Sequence, residues 1–297
     1  MAEYKAIHGF TVQNRTSDPL ATGVGGATWS TGGSLGTGRA GLGGAGIQTA
    51  ILGFGGITGG SAVTNNEEYN GTAWTEGNNL NTARMKLAGC GTQTAGLAFG
   101  GASPANPNLD NESEEYNGTS WAEGNNLNTA RRELAAAGIQ TAALGFGGAS
   151  DSDDSESYNG TSWTEVANMN TGRDELGGIG TATAALAVGG HPTNANNELY
   201  NGTAWTEVAD INTGRHAMGA AGTSTSGIIF GGNSGTADGK TESWNGSAWT
   251  EVADLSTAGN GGGSGNAAPN KECIYFGRSP ATAATEEFTA VGTVAVD

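Results

Sequence analysis

The stretch EEYNGTAWTEGNNLNTARMKLAGCGTQTAGLAFGG runs from Glu67 to Gly101, and a near-copy, EEYNGTSWAEGNNLNTARRELAAAGIQTAALGFGG, runs from Glu114 to Gly148. Self-similarity at a fixed period decides an architecture before any local propensity does. Trp29, Trp74, Trp121, Trp163, Trp205 and Trp249 recur at spacings of 45, 47, 42, 42 and 44 residues. Ten residues after each of the first five stands an arginine: Arg39, Arg84, Arg131, Arg173 and Arg215. Seventeen further on comes the second glycine of a pair: Gly56, Gly101, Gly148, Gly190 and Gly232. Five residues before every Trp but the first is an aromatic, and two before that a glutamate: Glu67, Glu114, Glu156, Glu198 and Glu242, with Glu286 before Phe288.

Each unit reads as four short strands. The first is made of small residues, as in LAGCGT from Leu87. The second alternates large and small with period two, as in Leu97 and Phe99. The third is the Glu-x-aromatic stretch and the fourth carries the Trp. Between the last two lies Asn-Gly, which predicts a two-residue type I′ hairpin with positive φ at both positions. No helical period appears. Repeated four-stranded units of this size predict an all-β fold, a β-propeller with small residues crowding the axis and Trp on the outer strand. Trp29 has no Glu-x-aromatic before it, and Glu286 and Phe288 have no Trp after them. These complementary halves predict six blades, closed by the strand around Trp29 completing the last. The expected organisation is an N-terminal attachment or extension segment over 1–26, a propeller over 27–290 and a tail over 291–297.

A paired glycine after an apolar strand, then an aromatic, then a Trp (Gly100-Gly101, Tyr116, Trp121 and their counterparts) resembles the kelch repeat. The resemblance covers about residues 27–290 and implies a kelch-type propeller, as in the galactose oxidase/kelch superfamily. The aromatic-to-Trp spacing is shorter than in typical kelch repeats. The last unit departs too, with Gly259 in place of Arg and Phe276-Gly277-Arg278 in place of Phe-Gly-Gly. Copies so alike, and so rich in Gly, Thr and Asn, also resemble the kelch-like proteins of tailed phages.

Composition narrows the function. The 297 residues include 54 glycines and carry a net charge of −17 with only 12 Lys plus Arg. Such a surface repels phosphate backbones and anionic membranes, so nucleic acid and membrane insertion are not expected as partners. No apolar run reaches the ~18 residues of a spanning helix. MAEYKAIHGF lacks a basic-then-apolar signal, so synthesis in a cytoplasm is expected, with a virion location if phage-encoded. Cys90 and Cys273 lie in different phases of the repeat and read as free, buried thiols. His8, His191 and His216 share no metal-ligand spacing; no metal and no cofactor are expected.

The repeated charges admit two readings. Arg and Glu once per blade could form a ring of ligand sites, as Arg, Glu and Trp do between the blades of fucose-binding lectins. The favoured reading is structural: each Arg pairs with a Glu and nearby carbonyls, and each Trp belongs to the inter-blade core. The Asn-Gly-Thr/Ser sequons read as turns, and DSDDSE from Asp151 as a solvated acidic loop. Matches to copper-oxidase ligands, sialidase boxes and phosphate loops are lacking, so an enzyme is not expected.

Length varies chiefly between the Gly-Gly pair and the aromatic, a segment spanning 13, 15, 10, 10, 12 and 10 residues in the six units. In an up-and-down blade this loop shares a face with the connections between blades. Loops on a rigid scaffold are where binding normally resides. The candidate ligand-binding residues are therefore Asn106, Asn108, Asp110, Asp151, Asp153, His191, Asn194 and Asn196. The expected role is a phage virion component that binds a host-surface glycan, a receptor or another virion protein. A purely structural virion module and a cellular kelch scaffold are the alternatives.

Overall fold

The computed structural model describes residues 26–104, 109–265 and 271–290. The expected attachment segment, apart from Gly26, and the tail over 291–297 lie outside the described residues. The described residues fold into six sheets of four antiparallel strands arranged as a β-propeller, with no helix among them. Blade one comprises Gly43–Ile47, Ala50–Phe54, Asn66–Tyr69 and Trp74–Glu76. Blades two to five repeat this order, each beginning at the axis with a small-residue strand: Ala88–Thr92, Ala135–Ile139, Gly177–Thr181 and Gly219–Thr223. A short ribbon, Ile57–Thr58 with Ser61–Ala62, decorates blade one.

Blade six is closed as the unmatched halves predicted. Thr28–Thr31 pairs antiparallel with Thr285–Thr289, placing Trp29 opposite Phe288. The last blade's outer strand thus comes from the start of the propeller, leaving no open edge between first and last blades.

Small inner residues follow from crowding. A Cβ on Gly89 would lie 2.5 Å from the Phe54 ring and 2.9 Å from the Gly44 carbonyl of the preceding blade. Between blades, the outer Trp of one packs on the second-strand Phe of the one before. Ring centroids are 4.9 Å apart for Trp121 and Phe54, 4.7 Å for Trp163 and Phe99, and 5.1 Å for Trp205 and Phe146. Trp74 meets Phe276 and Trp29 meets Phe230 in the same way, while Trp249 packs in a cluster with Val188.

The arginines are buried and multiply bonded. Arg84 Nη2 is 2.9 Å from Glu114 Oε1, and its Nη1 donates to the carbonyls of Gly100 and Glu112. The pairs Arg39–Glu67, Arg131–Glu156, Arg173–Glu198 and Arg215–Glu242 repeat this at 2.8–3.1 Å. Each glutamate also accepts backbone N–H groups from the turn before its arginine, as Glu156 does from Asn128 and Thr129. One carboxylate thus clamps the entry to its own blade, and the guanidinium ties that entry to the end of the second strand. The five arginine side chains are at most 2% exposed, so they present no surface to a ligand.

The Asn-Gly turns differ from the type I′ expectation. Tyr116 pairs with Trp121, and the Asn117 N–H donates to the Ser120 carbonyl, so Gly118 and Thr119 are the central residues. Only the glycine takes positive φ, 86° at Gly118. The Asn117 Oδ1 accepts the N–H groups of Thr119 and Ser120. A side-chain carbonyl does here what a second left-handed residue would have done.

Candidate functional site: the axial mouth on the variable-loop face

The two faces are chemically distinct. On one, the Asn-Gly turns lie against the inner hairpins; a Cβ on Gly118 would touch Thr94. There the amides of Gln48, Gln93 and Gln140 each donate to two carbonyls of the preceding blade. On the other face the length-variable loops lie against the connections between blades: Leu127 N–H donates to Asn111 and Arg131 N–H to Asp110.

On this second face the connections turn inwards to the axis. The residue two after each arginine position is left-handed in all six blades: Gly41, Lys86, Glu133, Glu175, Ala217 and Gly261, with φ between 50° and 63°. Each donates its N–H to the carbonyl of its counterpart in the preceding blade, at 2.7–2.9 Å. Gly41 donates to Gly261, so the six bonds close into a ring around the axis.

Above and within this ring is a depression of about 440 Å³, lined in part by Lys86, Glu133, Glu175, His216, Asn233 and Asn260. Its charges are confined to one side. Lys86 pairs with Glu133 and lies 4.0 Å from Glu175, while His216 Nε2 is 3.5 Å from Glu175 Oε2. His191 Nδ1 is 3.5 Å from Asp174 Oδ1, and the two imidazoles meet edge-on at 5.3 Å. Burial, and then Glu133, push both the Asp174 and Glu175 carboxyls above their ordinary range. Burial and His191 hold His216 below its usual value. Blades one and six contribute no charge at the corresponding ring positions, where Gly41 and Gly261 stand. The mouth therefore offers an ammonium, carboxylates and imidazoles along one arc of a shallow polar rim.

The expected site residues fall into three groups. Asp151, Asp153 and His191 are exposed on this face. Asp110 is buried, its Oδ1 accepting the Glu112 N–H, and Asn194 accepts the Asn196 N–H in the same kind of turn. The Asn196 carbonyl accepts Arg173 Nη1 at 2.6 Å, so this residue also serves the blade clamp. Asn106 and Asn108 lie outside the described residues. Comparing loop lengths overlooked Lys86, Glu133, Asp174, Glu175 and His216. The usable signal was identity: the two positions after each arginine read Ala-Gly, Met-Lys, Arg-Glu, Asp-Glu and His-Ala in blades one to five.

Compared with known proteins, the chain matches no family model and no curated protein. Among the described residues, no helix is long and apolar enough to cross a membrane.

Proposed function

We propose that this six-bladed propeller is a non-enzymatic binding module of kelch type. Its variable-loop face recognises a polar macromolecular surface, a host-surface glycan or another virion protein. A β-propeller is commonly a scaffold for interaction, with function placed in its loops. The observation that carries the reading is the contrast between faces. One is bound into uniform turns, whereas the other varies in loop length and holds the asymmetric arc of Lys86, Glu133, Glu175 and His216. The resemblance to kelch-like proteins of tailed phages supports the virion setting. With a net charge of −17, attachment would rest on hydrogen bonding and shape instead of attraction to anionic surfaces.

The test compares binding of the intact protein to a glycan array and to phage structural proteins with that of two variants. Asp153→Ala with Lys86→Ala alters the exposed rim without touching the blade clamps. Thr119→Ala with Thr161→Ala alters the uniform face. Loss of roughly tenfold or more in affinity is expected from the first pair only. Equal binding by the rim variant, or loss through the uniform face, overturns the assignment.

A further inference from the structure

We infer that Asp151, Asp174 and His191 form a site for one divalent first-row transition ion, at the junction of blades three and four. The inference stands independently of what the variable-loop face recognises. The three residues are far apart in sequence, and the fold brings one ligand atom of each within 4.8 Å of the others.

The backbone holds them there. The His191 N–H donates to the Asp174 carbonyl at 2.8 Å, linking two ligands across blade four. The Arg173 N–H donates to the Ser152 carbonyl at 3.2 Å, joining the loop of Asp151 to the turn of Asp174. That contact is close: a Cβ on Gly172 would lie 1.9 Å from the Asp151 carbonyl oxygen. Arg173 is itself anchored by Glu198, so Asp174 follows directly from a buried clamp.

The side chains have a matching need. The Asp174 Oδ1 is buried and makes no hydrogen bond, although His191 Nδ1 is 3.5 Å away. A desolvated carboxylate oxygen without a donor is costly, and a cation held between it and His191 Nδ1 answers that cost. Lys86 does not, because it is paired with Glu133. Ligand atoms each about 2.1 Å from an ion stand roughly 3–4 Å apart, so the exposed Asp151 and His191 side chains need close by only about an ångström. One imidazole and two carboxylates suit zinc, nickel or manganese better than calcium or magnesium, which prefer all-oxygen shells. Three protein ligands leave positions open to water or to a bound partner's oxygen. The His216 ring, edge-on against His191, restrains the imidazole without itself being a ligand.

Zinc titration of the full chain by calorimetry, after chelator treatment and at about 0.15 M salt to screen diffuse attraction, tests the site. One saturable zinc per chain is expected. Both His191→Ala and Asp174→Asn should weaken it by roughly tenfold or more, since even outer-shell changes cost that much. Asp153→Asn, a neighbouring exposed carboxylate outside the triad, should not. Zinc should also raise the melting temperature of the intact protein but not of His191→Ala. His191 is 53% exposed in its side chain, so that variant is expected to fold. Absence of saturable binding, binding untouched by both variants, or displacement of zinc by an equal concentration of calcium overturns the inference.

Discussion

Arg278 Nη1 stands 2.8 Å from Glu286 Oε1 in blade six, in the role that the other five blades fill with an arginine from the connection entering the blade. Arg278 instead follows the second strand, and it donates to the Thr257 carbonyl of that connection at 2.7 Å. The usual arginine position is Gly259, where a Cβ would lie 2.3 Å from the Arg278 Cδ. The guanidinium is therefore kept while its point of origin is exchanged, and the glycine makes the exchange sterically possible.

Arg278→Ala should cost ~3–5 kcal/mol, as for a buried ion pair that loses one partner. Gly259→Arg alone should also destabilise, by collision with Arg278. The double variant Gly259→Arg, Arg278→Gly restores the arrangement of the other blades and should recover most of the stability. Denaturant unfolding of the three proteins checks this, and a double variant no better than Arg278→Ala would show that blade six cannot accept the usual route.

Ring closure depends on Trp29. It packs on Phe230 of blade five and Phe288 of its own blade, and its Nε1 donates to Thr241 Oγ1 and to the Ala253 carbonyl. Trp29→Ala should cost ~3–5 kcal/mol, the range for a large buried aromatic. The midpoint in guanidinium measures it.

The axial ring predicts a gain. Ala217 is left-handed at φ 53°, where Gly261 of the neighbouring blade six and Gly41 of blade one already stand. A side chain in this region costs about 1–2 kcal/mol, partly offset by the greater backbone entropy of an unfolded glycine. Ala217→Gly should therefore stabilise by up to about 1 kcal/mol, with the N–H to Glu175 bond retained. A fall in melting temperature would contradict it.

Glu175 predicts a pH dependence. Burial and Glu133 raise its carboxyl above the ordinary 4.5, so it holds its proton more tightly folded than unfolded. Its contribution therefore declines as pH rises from the unfolded value through the folded one. Glu175→Gln should raise the melting temperature at about pH 7.5 and leave it unchanged near pH 3.5, where the native carboxyl is protonated anyway. Thermal melts at the two pH values decide.

The six blades, the closing strand of Trp29 and the one-per-blade Arg–Glu pairing were legible from period alone, because residues that recur at fixed phase must meet equivalent surroundings in every copy. Even the displaced Arg278 left a trace: one arginine missing and one gained within the same unit. Position within a turn was less legible. Asn-Gly names the hairpin, but whether Asn or Thr sits at its centre depends on which groups accept the strand-end N–H bonds. The axial ring, and the joining of Lys86, Glu133, Asp174, Glu175 and His216 with the expected His191 into one arc, were decided only by tertiary structure. Their residues differ from blade to blade, so the repeat marks their positions but not their chemistry. They become neighbours because six separate connections converge on one axis, and that convergence is a property of the closed ring, not of any one unit.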